Sequence, residues 1–91
     1  MITIHKFQFD PQGLSTTMKW PLQPLSVGLQ NDEITLWMLV DDAQEERSVD
    51  IIVTPTGGEV RKDWTYCGTV QQGRFVWHVW IPSRQFGWAV L

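Results

Sequence analysis

Ninety-one residues make one domain with a modest core, and a 43% hydrophobic content is ordinary for a globular chain. A net charge of −3 argues against a general nucleic-acid binder, which needs a basic footprint. One cysteine, Cys67, excludes an intrachain disulfide, and with two well-separated histidines, His5 and His78, it forms no zinc pattern.

Strand one is expected over Ile2–Phe9, with Ile2, Ile4 and Lys6 on one face and Thr3, His5, Phe7 and Phe9 on the other. This opening alternates too regularly for a signal peptide, and no apolar run approaches the roughly 20 residues of a membrane span. Asp10-Pro11-Gln12-Gly13 is a turn signal, with proline second and glycine fourth. Leu14–Trp20 follows as an edge strand. Pro21 and Pro24 donate no ladder hydrogen bond, so the WPLQP segment reads as a connector.

Leu25–Gln30 and Glu33–Val40 form a predicted hairpin around Asn31-Asp32, a pair that tolerates positive φ. The second arm is apolar on both faces and is the best candidate for a central strand. Gly28 marks a bulge or close packing beneath a large neighbour. Asp41–Glu46 carries four acids in six residues and reads as a solvated loop. Arg47–Thr54 is a further strand, rich in β-branched residues. Pro55-Thr56-Gly57-Gly58 ends it, and a polar loop, Glu59–Asp63, follows.

Trp64–Ile81 is a closing hairpin joined by Gln71-Gln72-Gly73. On its second arm Phe75, Trp77, Val79 and Ile81 oppose Arg74, Val76, His78 and Trp80. Both faces are largely apolar, so cover on both sides is expected. No stretch sustains a 3.6-residue apolar period. The expected fold is all-β: a small antiparallel sandwich or partly open barrel of about seven strands in sequential hairpins. Residues 1–81 form the domain, and 82–91 form an apolar tail that packs on the domain or on a neighbouring subunit. Phe86, Trp88, Val90 and Leu91 are its expected oligomer contacts.

No constellation forms a catalytic site, and no cofactor or metal site is expected. The acids Asp41, Asp42, Glu45 and Glu46 fit no calcium loop; they read as a solvated face available to a basic partner. Thr56, Gly57 and Gly58, with Arg61 and Lys62, supply backbone N–H groups and adjacent cations suited to an anion. The alternative is a tight turn with solvated basic residues. His78 and Arg74 share a strand face, and a histidine there is more often a hydrogen-bonded core or interface residue than a catalyst. Cys67 and His78 make a conceivable thiolate–imidazole pair, although a buried, inert cysteine is the commoner case. Trp37, Trp64 and Trp80 are the rings suited to stacking a base.

The segments Leu36-Trp37-Met38-Leu39-Val40-Asp41, Tyr66-Cys67-Gly68-Thr69-Val70-Gln71 and Phe75-Val76-Trp77-His78-Val79-Trp80 together resemble a family of small phage and prophage proteins of unknown function. That family is marked by LWxLVD, a GTGH-type turn, YxGTxQ and FVxHVF. Leu25-Ser26-Val27-Gly28-Leu29-Gln30 is similar to its LSVxxQ, and Ile4-His5-Lys6-Phe7 to an IYKY-type opening. The resemblance covers residues 2–81. It departs at the GTGH-type turn, which here reads Pro55-Thr56-Gly57-Gly58 and lacks the histidine. It implies a phage origin and action in the host bacterial cytoplasm, and it implies no reaction.

Two functional classes follow. The first is a non-enzymatic binding protein that inhibits or modulates a host protein, such as a defence factor. The second is an oligomer that sequesters a nucleotide-type signal, with Arg61, Lys62 or Arg74 meeting phosphate. A minor structural virion protein is a lesser alternative. A homo-oligomer is expected under both main classes.

Overall fold

The computed structural model describes residues 1–86 and contains one antiparallel sheet of five strands. These are β1 (Ile2–Phe9), β2 (Leu14–Gln30), β3 (Glu33–Pro55), β4 (Trp64–Gln72) and β5 (Phe75–Pro82). A short 3-10 turn, Ser83–Gln85, follows β5. Trp88, Val90 and Leu91, three of the expected oligomer contacts, lie outside the described residues.

The expected seven strands are five because two are long. β2 runs through the WPLQP segment, which is not a connector. Pro21 pairs opposite Val40 and Pro24 opposite Met38, with register shifts at Lys19/Trp20, Pro21/Gln23 and Pro24/Ser26. Among the described strands β2 pairs only with β3, and an edge strand with bulges tolerates a residue that donates no hydrogen bond. Asp41–Glu46 likewise belongs to β3 and is not a loop between strands. The ladder with β2 passes from Trp20↔Asp41 to Lys19↔Glu46, so residues 42–45 bulge out of register.

This bulge folds the sheet. A straight strand of 23 residues would span roughly 75 Å at 3.3 Å per residue. The longest dimension of the molecule is 39 Å. The first half of β3, Ile34–Asp41, lies between β1 and the latter part of β2. Its second half pairs with the start of β2 over Glu46–Ile51 and with β5 over Ile52–Pro55. The two halves face each other and the sheet is not closed. Ile34, Leu36, Met38 and Val40 of one half and Val49, Ile51, Val79 and Ile81 of the other form one fully buried core. The central position expected for Glu33–Val40 is the one observed.

The tight turns follow their chemistry. Asn31 and Asp32 adopt φ of 54° and 63°, the left-handed pair of a type I′ hairpin. Gly13 N–H donates to the Asp10 carbonyl at 2.9 Å. In the β4–β5 hairpin Gln72 pairs with Phe75, so the two-residue loop is Gly73-Arg74 rather than Gln71–Gly73. Arg74 therefore stands in the turn and not on the strand face with His78.

After β5 the chain crosses back along β3. Phe86 is completely buried in the chain's own core, and Arg47 Nη1 donates to its carbonyl at 3.0 Å. The same guanidinium lies 4.8 Å above the Trp20 ring. One residue earlier, Gln85 accepts from the Asp50 N–H at 2.6 Å and donates to Asp50 Oδ2 at 3.0 Å.

Asp50 also accepts from Ser15 at 2.9 Å. The hydrogen bonds from Gln85 and then Ser15 hold its carboxyl below the ordinary aspartate value of 3.8. A group depressed in the folded state stabilises above its unfolded value, and that contribution is lost as pH falls through the folded one. The urea midpoint of the native protein should therefore drop below about pH 4. The drop should be shallower in Asp50→Asn; identical profiles for the two proteins would contradict this.

Candidate functional site

β3, β5 and β4 present one common face to solvent, set by their register. Thr54 stands opposite His78 and Ile52 opposite Trp80 on the β3 side. On the β4 side Tyr66 stands opposite Trp80, Thr69 opposite His78 and Trp64 opposite Pro82. A register shift between Tyr66 and Gly68 resets the alternation of β4. It turns Cys67 inward and lets Thr69 rejoin Tyr66 on the outer face.

The face carries an aromatic cluster beside a polar chain. Tyr66 meets Trp80 edge-on at 5.2 Å and 61°, and Trp64 lies 6.5 Å from Trp80 at 47°. Trp80 Nε1 donates to Thr54 Oγ1 at 2.9 Å, satisfying an indole that would otherwise be part-buried without a partner. His78 is held from both sides, with Nε2 2.8 Å from Thr56 Oγ1 and Nδ1 2.9 Å from Thr69 Oγ1. The Tyr66 hydroxyl closes the chain by a hydrogen bond with Thr69. Tyr66 is 52% exposed, and Val76 is exposed on the same face of β5, beyond His78 toward the turn. The expected cover on both faces of β5 thus applies to one face only: Val79 and Ile81 are buried, and the His78 face is open.

Of the residues named from sequence, His78, Trp80 and Thr56 meet here, together with Trp64. Tyr66, Thr69 and Thr54 belong to the same site and were missed. Their only signal is the cross-strand register, which follows from the bulge at Cys67. Cys67 and His78 lie on opposite faces, so they form no thiolate–imidazole pair. Burial pushes the Cys67 thiol up to about 12, and Sγ faces the Thr65 carbonyl at 3.7 Å. The thiol stays protonated and unreactive at neutral pH.

The other named residues are dispersed. Gly57 has φ of 86°, and Gly58 N–H donates to the Pro55 carbonyl at 3.0 Å, so the glycines build a tight turn and that N–H is taken. Arg61 pairs with Asp63 at 3.2 Å, and Lys62 is exposed. Arg74 stands at the far end of β4 from both, its guanidinium 5.9 Å from the Phe75 ring. Trp37 lies in the other half of the sheet, its ring 3.6 Å from where a Cβ on Gly28 would sit, which is the close packing expected of that glycine.

The four acids divide into two pairs. Asp42 accepts a hydrogen bond from the terminal ammonium of Met1 at 2.8 Å, and Asp41 lies 3.7 Å from the same group. That hydrogen bond lowers the Asp42 carboxyl below its ordinary value and raises the ammonium above its own. Glu45, in the bulge, and Glu46, opposite Lys19 in the ladder, are both exposed to solvent.

A cleft of about 280 Å³ opens between the β1–β2 and β2–β3 turns, lined by Asp10, Asp32, Glu33 and Gln72 among others. It is separate from the aromatic face. Among the described residues no cluster of histidine, cysteine or carboxylate side chains could hold a metal ion, and no helix is long and apolar enough to cross a membrane.

An open, folded antiparallel sheet with an aromatic outer face on β4 and β5 is the class of protein in hand. The chain belongs to a family described as a domain of unknown function (DUF7352), whose model matches residues 1–87. No curated protein and no solved structure matches it.

Proposed function

We propose that this is a phage-encoded, non-enzymatic binding protein that engages a host bacterial protein in the cytoplasm and modulates or inhibits it. The observation that carries this reading is the outer face of β4 and β5. Trp64, Tyr66 and Trp80 form a contiguous aromatic surface, rigid because Thr54 and the Thr56–His78–Thr69 chain hold it. Aromatic anchors with few rotatable bonds dominate protein–protein contacts at low entropic cost. Both ring nitrogens of His78 are taken up by hydroxyls, which suits a holding role better than proton transfer to a substrate. Phage origin and host action rest on the sequence resemblance.

The test is affinity isolation of the tagged chain from a bacterial lysate with quantitative mass spectrometry, comparing Tyr66→Ala and Val76→Asp with Phe75→Ala. A stoichiometric host partner should be retained by Phe75→Ala, whose ring stacks on Trp77 on the opposite face. Tyr66→Ala should weaken it by about 2 kcal/mol, roughly thirtyfold. Equal recovery by all three variants, each folded by circular dichroism, would overturn this surface as the contact.

A further inference from the structure

The sheet has three strands that pair on one side only among the described residues: β1 and β2, each with β3, and β4 with β5. Two of these edges are blunted in the ways proteins use to prevent pairing with other chains. β2 contains Pro21 and Pro24 and three register shifts, and β4 contains the bulge at Cys67. β1 has neither. Its eight residues pair with β3 in unbroken register from Ile2↔Asp41 to Phe9↔Ile34, without proline, glycine or bulge. Its only charged side chain near neutral pH, apart from a histidine, is Lys6. The outer face of this edge carries two exposed apolar side chains, Ile2 at 62% and Ile4 at 55%, ahead of Lys6 and Gln8.

We propose that the β1 edge is an intermolecular pairing site, and that its occupant is β1 of a second copy of this chain, antiparallel about a two-fold axis. The proposal is independent of the aromatic face, which lies on other strands. Pairing would take up the outward backbone N–H and C=O groups of β1 and extend the sheet across two subunits. Faces are preserved only if each residue meets one of like parity, which limits the registers. Centring on Lys6 would place lysine against lysine. Centring on Ile4 places Ile4 against Ile4 and the partner's Lys6 against Ile2.

Charge favours that last register. Ile2 pairs with Asp41, so the partner's Lys6 lies across Ile2, about 10 Å from Asp41 backbone to backbone, and faces the two carboxylates, Asp41 and Asp42, that share the single Met1 ammonium. Within one chain Lys6 contacts only the neutral side chain of Gln30 among the described residues. A single lysine on an edge ordinarily discourages association; here the two-fold converts it into a complementary contact.

Sedimentation equilibrium and native mass spectrometry of the full chain test this. The expected result is a two-chain mass. Ile4→Lys, at an exposed position, should leave the circular dichroism spectrum unchanged. By setting lysine on lysine it should weaken the dimer more than about a hundredfold. Lys6→Asp and Asp41→Lys should each weaken it, and the double variant should recover much of the loss, which a merely structural effect would not do. A wild-type chain at single-chain mass throughout would overturn the proposal, whether or not it binds a foreign strand peptide. So would a dimer that persists in Ile4→Lys, or a charge swap without recovery.

Discussion

Replacing Phe86 with alanine is expected to destabilise the protein by about 3–5 kcal/mol, the range for emptying a fully buried phenylalanine site. Phe86 is 0% exposed and belongs to the same cluster as Ile34, Leu36 and Val79. Its backbone is fixed as well, because Arg47 donates to its carbonyl while stacking on Trp20. A loss of this size is a large fraction of the stability of a small domain. Urea unfolding followed by tryptophan fluorescence should show a lower midpoint with little change in slope. A shift below about 1 kcal/mol would mean that the segment after β5 contributes little to the core. The tail 82–91 is expected to pack on the domain or on a neighbouring subunit, and its described buried residues do the former. Pro82 and Phe86 are integral to this subunit's interior, and the position of Phe86 as an oligomer contact is occupied by its own core.

Gly68→Ala should cost about 1–3 kcal/mol through overpacking. A Cβ at this position would lie 2.8 Å from both Cβ and Cγ2 of Val27, well inside any ordinary carbon contact. Val27 is β-branched and stiff, so it cannot swing aside as a long side chain would. The clash falls where β4 meets β2 across the fold of the sheet, so relief requires the two halves to move apart. Thermal unfolding should register the loss. The double variant Gly68→Ala, Val27→Ala should recover part of it, since the smaller side chain clears the space at the expense of its own burial. Full stability in Gly68→Ala alone would show that the halves are not in close contact there.

Much of the architecture was legible because it depends on local backbone chemistry. Asn31-Asp32 reads as a turn for the reason it forms one: both side chains tolerate positive φ. Alternation over Glu33–Val40, apolar on both faces, identifies a strand with neighbours on either side. Gly28 beneath a large ring was similarly readable, the ring proving to be Trp37. The failures share a different cause. Prolines and a run of acids read as strand ends, yet Pro21 and Pro24 lie on an edge and residues 42–45 in a bulge. There a missing hydrogen bond or a charged side chain opens to water and costs little. The outer face was half legible. His78 and Trp80 alternate visibly along β5, but their partners Thr54, Thr69 and Tyr66 are set by register and by the bulge at Cys67. Neither can be read from one strand alone.

The same long pairing of β2 with β3 governs how the chain can reach this fold. Starting from Asn31-Asp32, each new pair closes only a short additional loop, so the ladder can zip outward toward Leu14↔Ile51 at small entropic increments. The β4–β5 hairpin closes equally locally around Gly73-Arg74. What joins these two self-contained units is a ladder of four pairs, Ile52↔Trp80 to Pro55↔Trp77, together with the burial between their facing surfaces. Assembly is therefore expected to be fast within each hairpin and slowest at their docking. The amides of His78 and Trp80, which point from β5 toward β3, report that last step, and protection there should appear after protection at Thr35, whose amide points to β2.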